Sequence, residues 1–100
     1  MSESRKIVSI YKDVDFEVVK EEVPEACFFH CYVTNFNKTV LKRMREVWES
    51  IKREAYAEGW PQIHSYTPNP KFAMLLPGAK KVNEFEAEGQ HFEVIRWELE

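Results

Sequence analysis

Residues 26–60, ACFFHCYVTNFNKTVLKRMREVWESIKREAYAEGW, decide the fold. The first nine, ACFFHCYVT, are a nearly continuous apolar run, the pattern of a central strand buried on both faces. Val40, Leu41, Met44, Val47, Trp48, Ile51 and Ala55 then form one stripe on a 3.6-residue period, which predicts a long amphipathic helix. Asn37 suits its N-cap, Gly59 suits the C′ position and Pro61 blocks continuation, so the helix runs from Lys38 to Glu58. Trp60 to Tyr66 reads as the next strand. Strand, long helix and strand in one compact chain make a crossover unit, so strands 27–34 and 60–66 are expected to be parallel, with a right-handed connection.

Upstream, Ile7, Val8, Ile10 and Tyr11 suggest a first strand. Val14, Phe16 and Val18 alternate with Asp15, Glu17 and Val19 in a second strand, and Lys12-Asp13 is the turn between them. Met1 to Ser4 is a polar start, expected to fray. Downstream, Asn69 can cap a short helix over Lys71 to Leu76, with Pro70 at its first position and Pro77-Gly78 as its stop. Lys81 to Phe85 and His91 to Leu99 close the chain as a hairpin turning around Glu86 to Gly89. On the last strand Glu93, Ile95, Trp97 and Leu99 share one face, and Phe92, Val94, Arg96 and Glu98 the other. The expected class is therefore α/β: a mixed sheet with a parallel β-α-β crossover, one long helix, one short helix and a C-terminal antiparallel hairpin. Residues 1–100 form a single domain.

Composition narrows the function classes. With 44% hydrophobic and 14% aromatic residues, 100 residues suffice for a self-standing core. A formal net charge of −3 argues against nucleic acid as a partner. No secretion signal is recognisable, and no apolar run approaches the roughly eighteen residues of a membrane span. Cys27 and Cys31 lie four apart on one strand, a poor arrangement for a disulfide, so a reducing cytoplasm is the natural location.

Several stretches invite chemistry. Lys38, Lys42, Arg43 and Arg45 crowd the start of the long helix, the unfavourable end of its dipole for cations. They read either as an anion site, with Lys38 and Lys42 beside the N-terminal N–H groups, or as a solvated face. Cys27, His30 and Cys31 suggest a metal, but residues 27 and 31 point one way from a strand and residue 30 the other. No metal site is expected, and a cysteine–histidine nucleophile meets the same obstacle. Glu84, Glu86, Glu88 and Glu93 crowd the last hairpin and read as a charged edge that discourages strand-to-strand aggregation. Trp48, Trp60 and Trp97 read as core, although Trp60, His64 and Tyr66 could also line a cleft between the parallel strands.

From Cys27 onward the order of elements resembles the C-terminal two-thirds of the GNAT family of N-acetyltransferases. Residues 69–99, NPKFAMLLPGAKKVNEFEAEGQHFEVIRWEL, carry most of the likeness: an asparagine before a helix, a short glycine-containing turn and a closing hairpin. Small acetyltransferase-like proteins of tailed phages, some of them associated with the virion interior, are the nearest likeness. The resemblance implies acetyl-CoA as cofactor, its pyrophosphate held by a glycine-rich turn at the start of the main helix. The matching positions run from Asn35 to Val40 and contain no glycine. The family's asparagine falls on Asn69, whereas the tyrosine that often protonates the leaving thiolate would fall near Phe72 to Leu76, where there is none. The family's acceptor-side N-terminal elements are expected to be missing or shortened.

The resulting expectation is a GNAT-like domain without efficient acetyl transfer and without a resident cofactor. It would work as a binding or structural protein with a protein partner, in a virion or a host, with a homo-oligomer through an edge strand as a further option. The alternative is a minimal acetyl-CoA-dependent N-acetyltransferase, in which Asn37, Lys38 and Lys42 hold the coenzyme phosphates and Asn69 the pantetheine. An open or a filled cleft between the parallel strands separates the two.

Overall fold

The computed structural model of the chain describes residues 6–99; the stretch Met1 to Ser4, expected to fray, lies outside them. The elements are β1 (Lys6–Lys12), β2 (Phe16–Glu22), β3 (Cys27–Val33), α1 (Lys38–Ala57), β4 (Gln62–Thr67), a 3-10 turn (Ala73–Leu75), β5 (Lys80–Ala87) and β6 (Gln90–Glu98). They build a six-stranded mixed sheet in the order β1-β2-β3-β4-β6-β5. Every neighbouring pair is antiparallel except β3 and β4, the two ends of the crossover through α1.

The helix forms where its stripe predicts. Val40, Met44, Trp48, Ile51 and Ala55 are its buried residues, spaced to lie along one face. Asn37, in extended backbone, accepts the Val40 N–H on its Oδ1 at 2.9 Å. At the other end Gly59 takes a φ of 99°, and the Trp60 N–H reaches back to the Ala55 carbonyl at 3.1 Å. That pair of features is a Schellman closure. The buried stripe packs on Phe16, Val18, Cys27, Phe29, Ile63, Ile95 and Trp97 of the sheet. At its centre Trp48 meets Trp97 edge-on at 4.8 Å and Phe29 at 6.3 Å. Burying each such large side chain contributes about 1.5–3 kcal/mol.

Three local expectations shift. The second strand begins at Phe16 rather than Val14, because Asp13 Oδ1 accepts the N–H groups of Asp15 (2.8 Å) and Phe16 (3.1 Å) and folds 13–15 into an Asx turn. The fourth strand begins at Gln62, since the Trp60 N–H is spent on the helix end and Pro61 has none to give. The short helix over 71–76 contracts to the 3-10 turn Ala73–Leu75, closed by Leu76 N–H on Ala73 O. Between Pro70 and Pro77 there is too little chain to repay a helical nucleus.

Strand β3 is central, but only one of its faces lies under another layer. Cys27 and Phe29 face α1 and are buried, whereas Tyr32 on the opposite face is 59% exposed. The uncovered face carries aromatic side chains that shelter one another. Tyr66 lies 5.6 Å from Phe28, 5.8 Å from Phe85 and 6.2 Å from Phe92, and Phe85 stacks on Phe92 across the β5–β6 pair at 5.2 Å. The hairpin itself turns on Glu88 (φ 53°) and Gly89 (φ 77°), the two positive φ values of a type I′ turn. Among the described residues no helix is long and apolar enough to cross a membrane.

Candidate functional site

Strands β3 and β4 touch at one register point, Phe28 opposite His64, and part toward their carboxyl ends. Under the parting lies a cavity of about 250 Å³. Cys31 and Val33 line it from β3, Ser65 and Thr67 from β4, and Met44 and Trp48 from the helix. Asn69, Phe72 and Leu76 close it from the segment after β4, and Trp97 from β6. Phe36, just before the helix, packs on Phe72 at 4.9 Å. The indole N–H groups of Trp48 and Trp97 are buried and have no acceptor among the described residues.

On the other side of the sheet the parting is plugged by a hydrogen-bonded line of side chains. His30 Nδ1 lies 3.0 Å from Ser65 Oγ, and His30 Nε2 lies 2.9 Å from Glu21 Oε1. The Tyr66 hydroxyl donates to the same Glu21 oxygen at 2.7 Å. Among the described residues, Glu21, His30 and Ser65 are the buried polar ones, at 3%, 6% and 5% exposure. Glu21 and Tyr66 border the groove on the uncovered face, Ser65 borders the cavity on the helix side, and His30 joins them through the sheet. The cleft is thus filled on one face and open on the other.

The turn leading into α1 is exposed but tied to the β1–β2 turn. The N–H groups of Thr34 and Asn35 both donate to the Asp15 carbonyl, at 2.7 and 3.1 Å, and the Asn35 amide reaches Val14 O and Asp15 Oδ1. Arg43 clamps Asp13 (3.0 Å) and Asp15 (2.6 Å), which fastens the β1–β2 turn to the helix. A hydrogen bond from Tyr11 at 2.7 Å, with the N–H groups of Asp15 and Phe16 and the Arg43 guanidinium, holds the Asp13 carboxyl well below the usual carboxylate range. Asp15 and Asp13 raise Arg43 in turn, so it stays charged. Arg45 donates to the Leu75 carbonyl at 3.3 Å.

Of the four positions singled out for phosphate and pantetheine, Asn37 spends its side-chain oxygen on its own helix, and Lys38 and Lys42 stand exposed on the first turns. Asn69 reaches the cavity rim, its Oδ1 accepting the Lys71 N–H at 3.3 Å. Asn69 thus lines the cavity, whereas Asn37, Lys38 and Lys42 do not; the helix start meets the cavity wall only through the Phe36–Phe72 contact. Trp60 is packed against the core rather than the cleft, and Tyr66 faces the opposite side of the sheet.

Cys27 and Cys31 face the helix while both His30 nitrogens are engaged elsewhere, so these three residues do not converge. Burial pushes their thiols up to about 11 and about 12. Near the hairpin, Glu84, His91 and Glu93 bring ligand atoms within 4.8 Å of one another, but the Lys81 ammonium sits among them, 2.9 Å from Glu84 and 3.8 Å from Glu93. This cluster is a salt-bridged edge.

Sequence reasoning placed His30 and passed over Glu21 and Ser65. Their partnership is spread over three strands, and the one available signal was a carboxylate with valines two residues before and after it, on the face of β2 away from the helix.

No family model matches the chain, and no curated protein matches it in sequence. Among solved structures it resembles the "putative acetyltransferase from Agrobacterium tumefaciens" with a TM-score of 0.55 over 96% of this chain and 75% of that one. At 14% identity the likeness concerns the fold, which is acetyltransferase-like.

Proposed function

We propose that this acetyltransferase-like domain is degenerate for coenzyme A-dependent transfer and works by binding. The observation that carries the reading is the helix start. An efficient pyrophosphate site needs free backbone N–H groups and unpaired cations in close approach. Here the Thr34 and Asn35 N–H groups are spent on Asp15, and Arg43 is neutralised by Asp13 and Asp15. Two carboxylates thus stand where an incoming diphosphate would seek positive charge. Lys38 and Lys42 add attraction from solvent, on a turn whose positions 35–40 hold no glycine.

A protein partner, in a virion or a host, is the proposed target, and the aromatic face around Phe28, Tyr66, Phe85 and Phe92 is the surface offered to it. A cytoplasmic or virion location goes with that reading, and self-association through the edge strand β1 is its homo-oligomeric variant.

Calorimetric titration with acetyl-CoA tests the proposal. No saturable binding is expected, and tight binding with transfer to an amine overturns it.

The alternative, a minimal acetyl-CoA-dependent N-acetyltransferase, is favoured by the open cavity beneath the parted strands. Under that reading Lys38→Glu with Lys42→Glu lowers coenzyme affinity. Asn69 would then hold the pantetheine arm at the cavity rim.

A further inference from the structure

We propose that Ser65 is a nucleophile that takes acyl groups from small uncharged esters and thioesters, with His30 as its base and Glu21 orienting the imidazole. Glu21, His30 and Ser65 stand in line as carboxylate, imidazole and hydroxyl, at 2.9 and 3.0 Å. Those are the separations that activation of a serine by a general base requires. With Glu21 ionised, Nε2 carries the proton and donates it to Oε1, so Nδ1 keeps its lone pair for the Ser65 O–H. Tyr66, on the same oxygen at 2.7 Å, steadies the carboxylate.

The remaining geometry concerns the substrate. Ser65 borders the 250 Å³ cavity, which has room for a short acyl chain between Trp48, Phe72, Leu76 and Trp97. No lysine or arginine lines that cavity, so the substrate class is uncharged at its acyl end. Asn69, with its Oδ1 taken by the Lys71 N–H, has only its amide N–H₂ left to offer a carbonyl oxygen at the rim. Trp48 and Trp97, both in the cavity wall, carry indole N–H groups still lacking an acceptor.

The step balances without a further reagent. Ser65 Oγ bonds to the acyl carbon as its proton passes to His30 Nδ1. The bond from that carbon to the leaving oxygen or sulfur breaks, and His30 returns the proton to the leaving group. Water then cleaves the Ser65 ester by the same route, releasing the carboxylic acid.

The test is to incubate the full chain with p-nitrophenyl acetate, and separately with a fluorophosphonate, and to locate adducts by intact-mass and peptide mass spectrometry. One adduct on the Ser65 peptide is expected, absent from Ser65→Ala and slowed roughly 100-fold or more in His30→Gln, with circular dichroism confirming that both variants fold. Glu21→Gln is expected to slow labelling while leaving the half-saturating ester concentration unchanged, a split that loss of packing alone would not give. An unlabelled Ser65 in the folded wild type, or labelling unaffected by Ser65→Ala, overturns the proposal and leaves the line as a plug in the sheet. The probes carry no coenzyme, so a failure to bind acetyl-CoA does not touch this outcome. Labelling of Ser65 by acetyl-CoA itself would overturn the binding-only reading and not this one.

Discussion

Replacing Glu21 with leucine tests whether the line through the sheet is an energetic unit. In the folded chain one Glu21 oxygen accepts from both His30 Nε2 and the Tyr66 hydroxyl. Glu21→Leu removes that acceptor from two donors, one of them on a histidine that is 6% exposed. An orphaned buried polar group costs about 1–3 kcal/mol, and the Tyr66 hydroxyl can turn to water in the groove, so the loss is that of the buried imidazole, about 1–3 kcal/mol. For a domain of this size that lowers Tm by at least about 4 °C, at roughly 4–8 °C per kcal/mol. The double variant Glu21→Leu with His30→Leu removes the buried imidazole as well. What remains are the hydroxyls of Ser65 and Tyr66, and both border space that water can enter, the first on the cavity and the second on the open groove. The double variant should therefore recover at least half of what the single variant loses. Urea unfolding followed by tryptophan fluorescence measures both. A double variant no more stable than Glu21→Leu, or a neutral Glu21→Leu, would refute the reasoning, because either result means that Glu21 and His30 do not share one hydrogen-bonded unit.

Other consequences are simpler to read. Tyr11→Phe should raise the Asp13 pKa toward the usual carboxylate range, since the Tyr11 hydrogen bond is the largest influence lowering it; carbon-detected NMR titration follows this directly. The sign of the linkage follows from that depression. The Asp13 contribution is fully present above the ordinary carboxylate pKa and disappears as pH falls through the lower folded value. Cys27 and Cys31, with thiols pushed up to about 11 and about 12, should resist iodoacetamide in the native chain at mildly alkaline pH and react once urea unfolds it. Gly89→Ala meets open space but must hold a φ of 77°, so a loss of about 1–2 kcal/mol is expected in thermal unfolding.

What the sequence determined by itself is the part of the molecule governed by local periodicity. The stripe from Val40 to Ala55, the Asn37 cap and the Gly59 stop specify α1 because each acts within a turn or two of chain. The apolar run 26–34 and the length of the crossover make β3 central and parallel to β4 for the same kind of reason: connection length and pattern leave few alternatives. The closing hairpin was legible from its alternation and from Gly89, although its ends moved. The Asx turn at Asp13 and the contraction of the short helix were hidden because competing local hydrogen bonds, not periodicity, decide them.

The candidate site belongs to the tertiary structure. Glu21, His30 and Ser65 lie on β2, β3 and β4, and nothing in their spacing along the chain announces that one imidazole links the other two. Whether a charged residue on a strand meets solvent or a partner depends on register and on which sheet face lacks a helix. Arg43 makes the same point at the helix start. By sequence it is one of four basic residues open to an anion, and only the fold of the β1–β2 turn delivers Asp13 and Asp15 to it. Contacts between side chains distant in sequence are set by how the chain closes on itself, and local pattern carries no record of that.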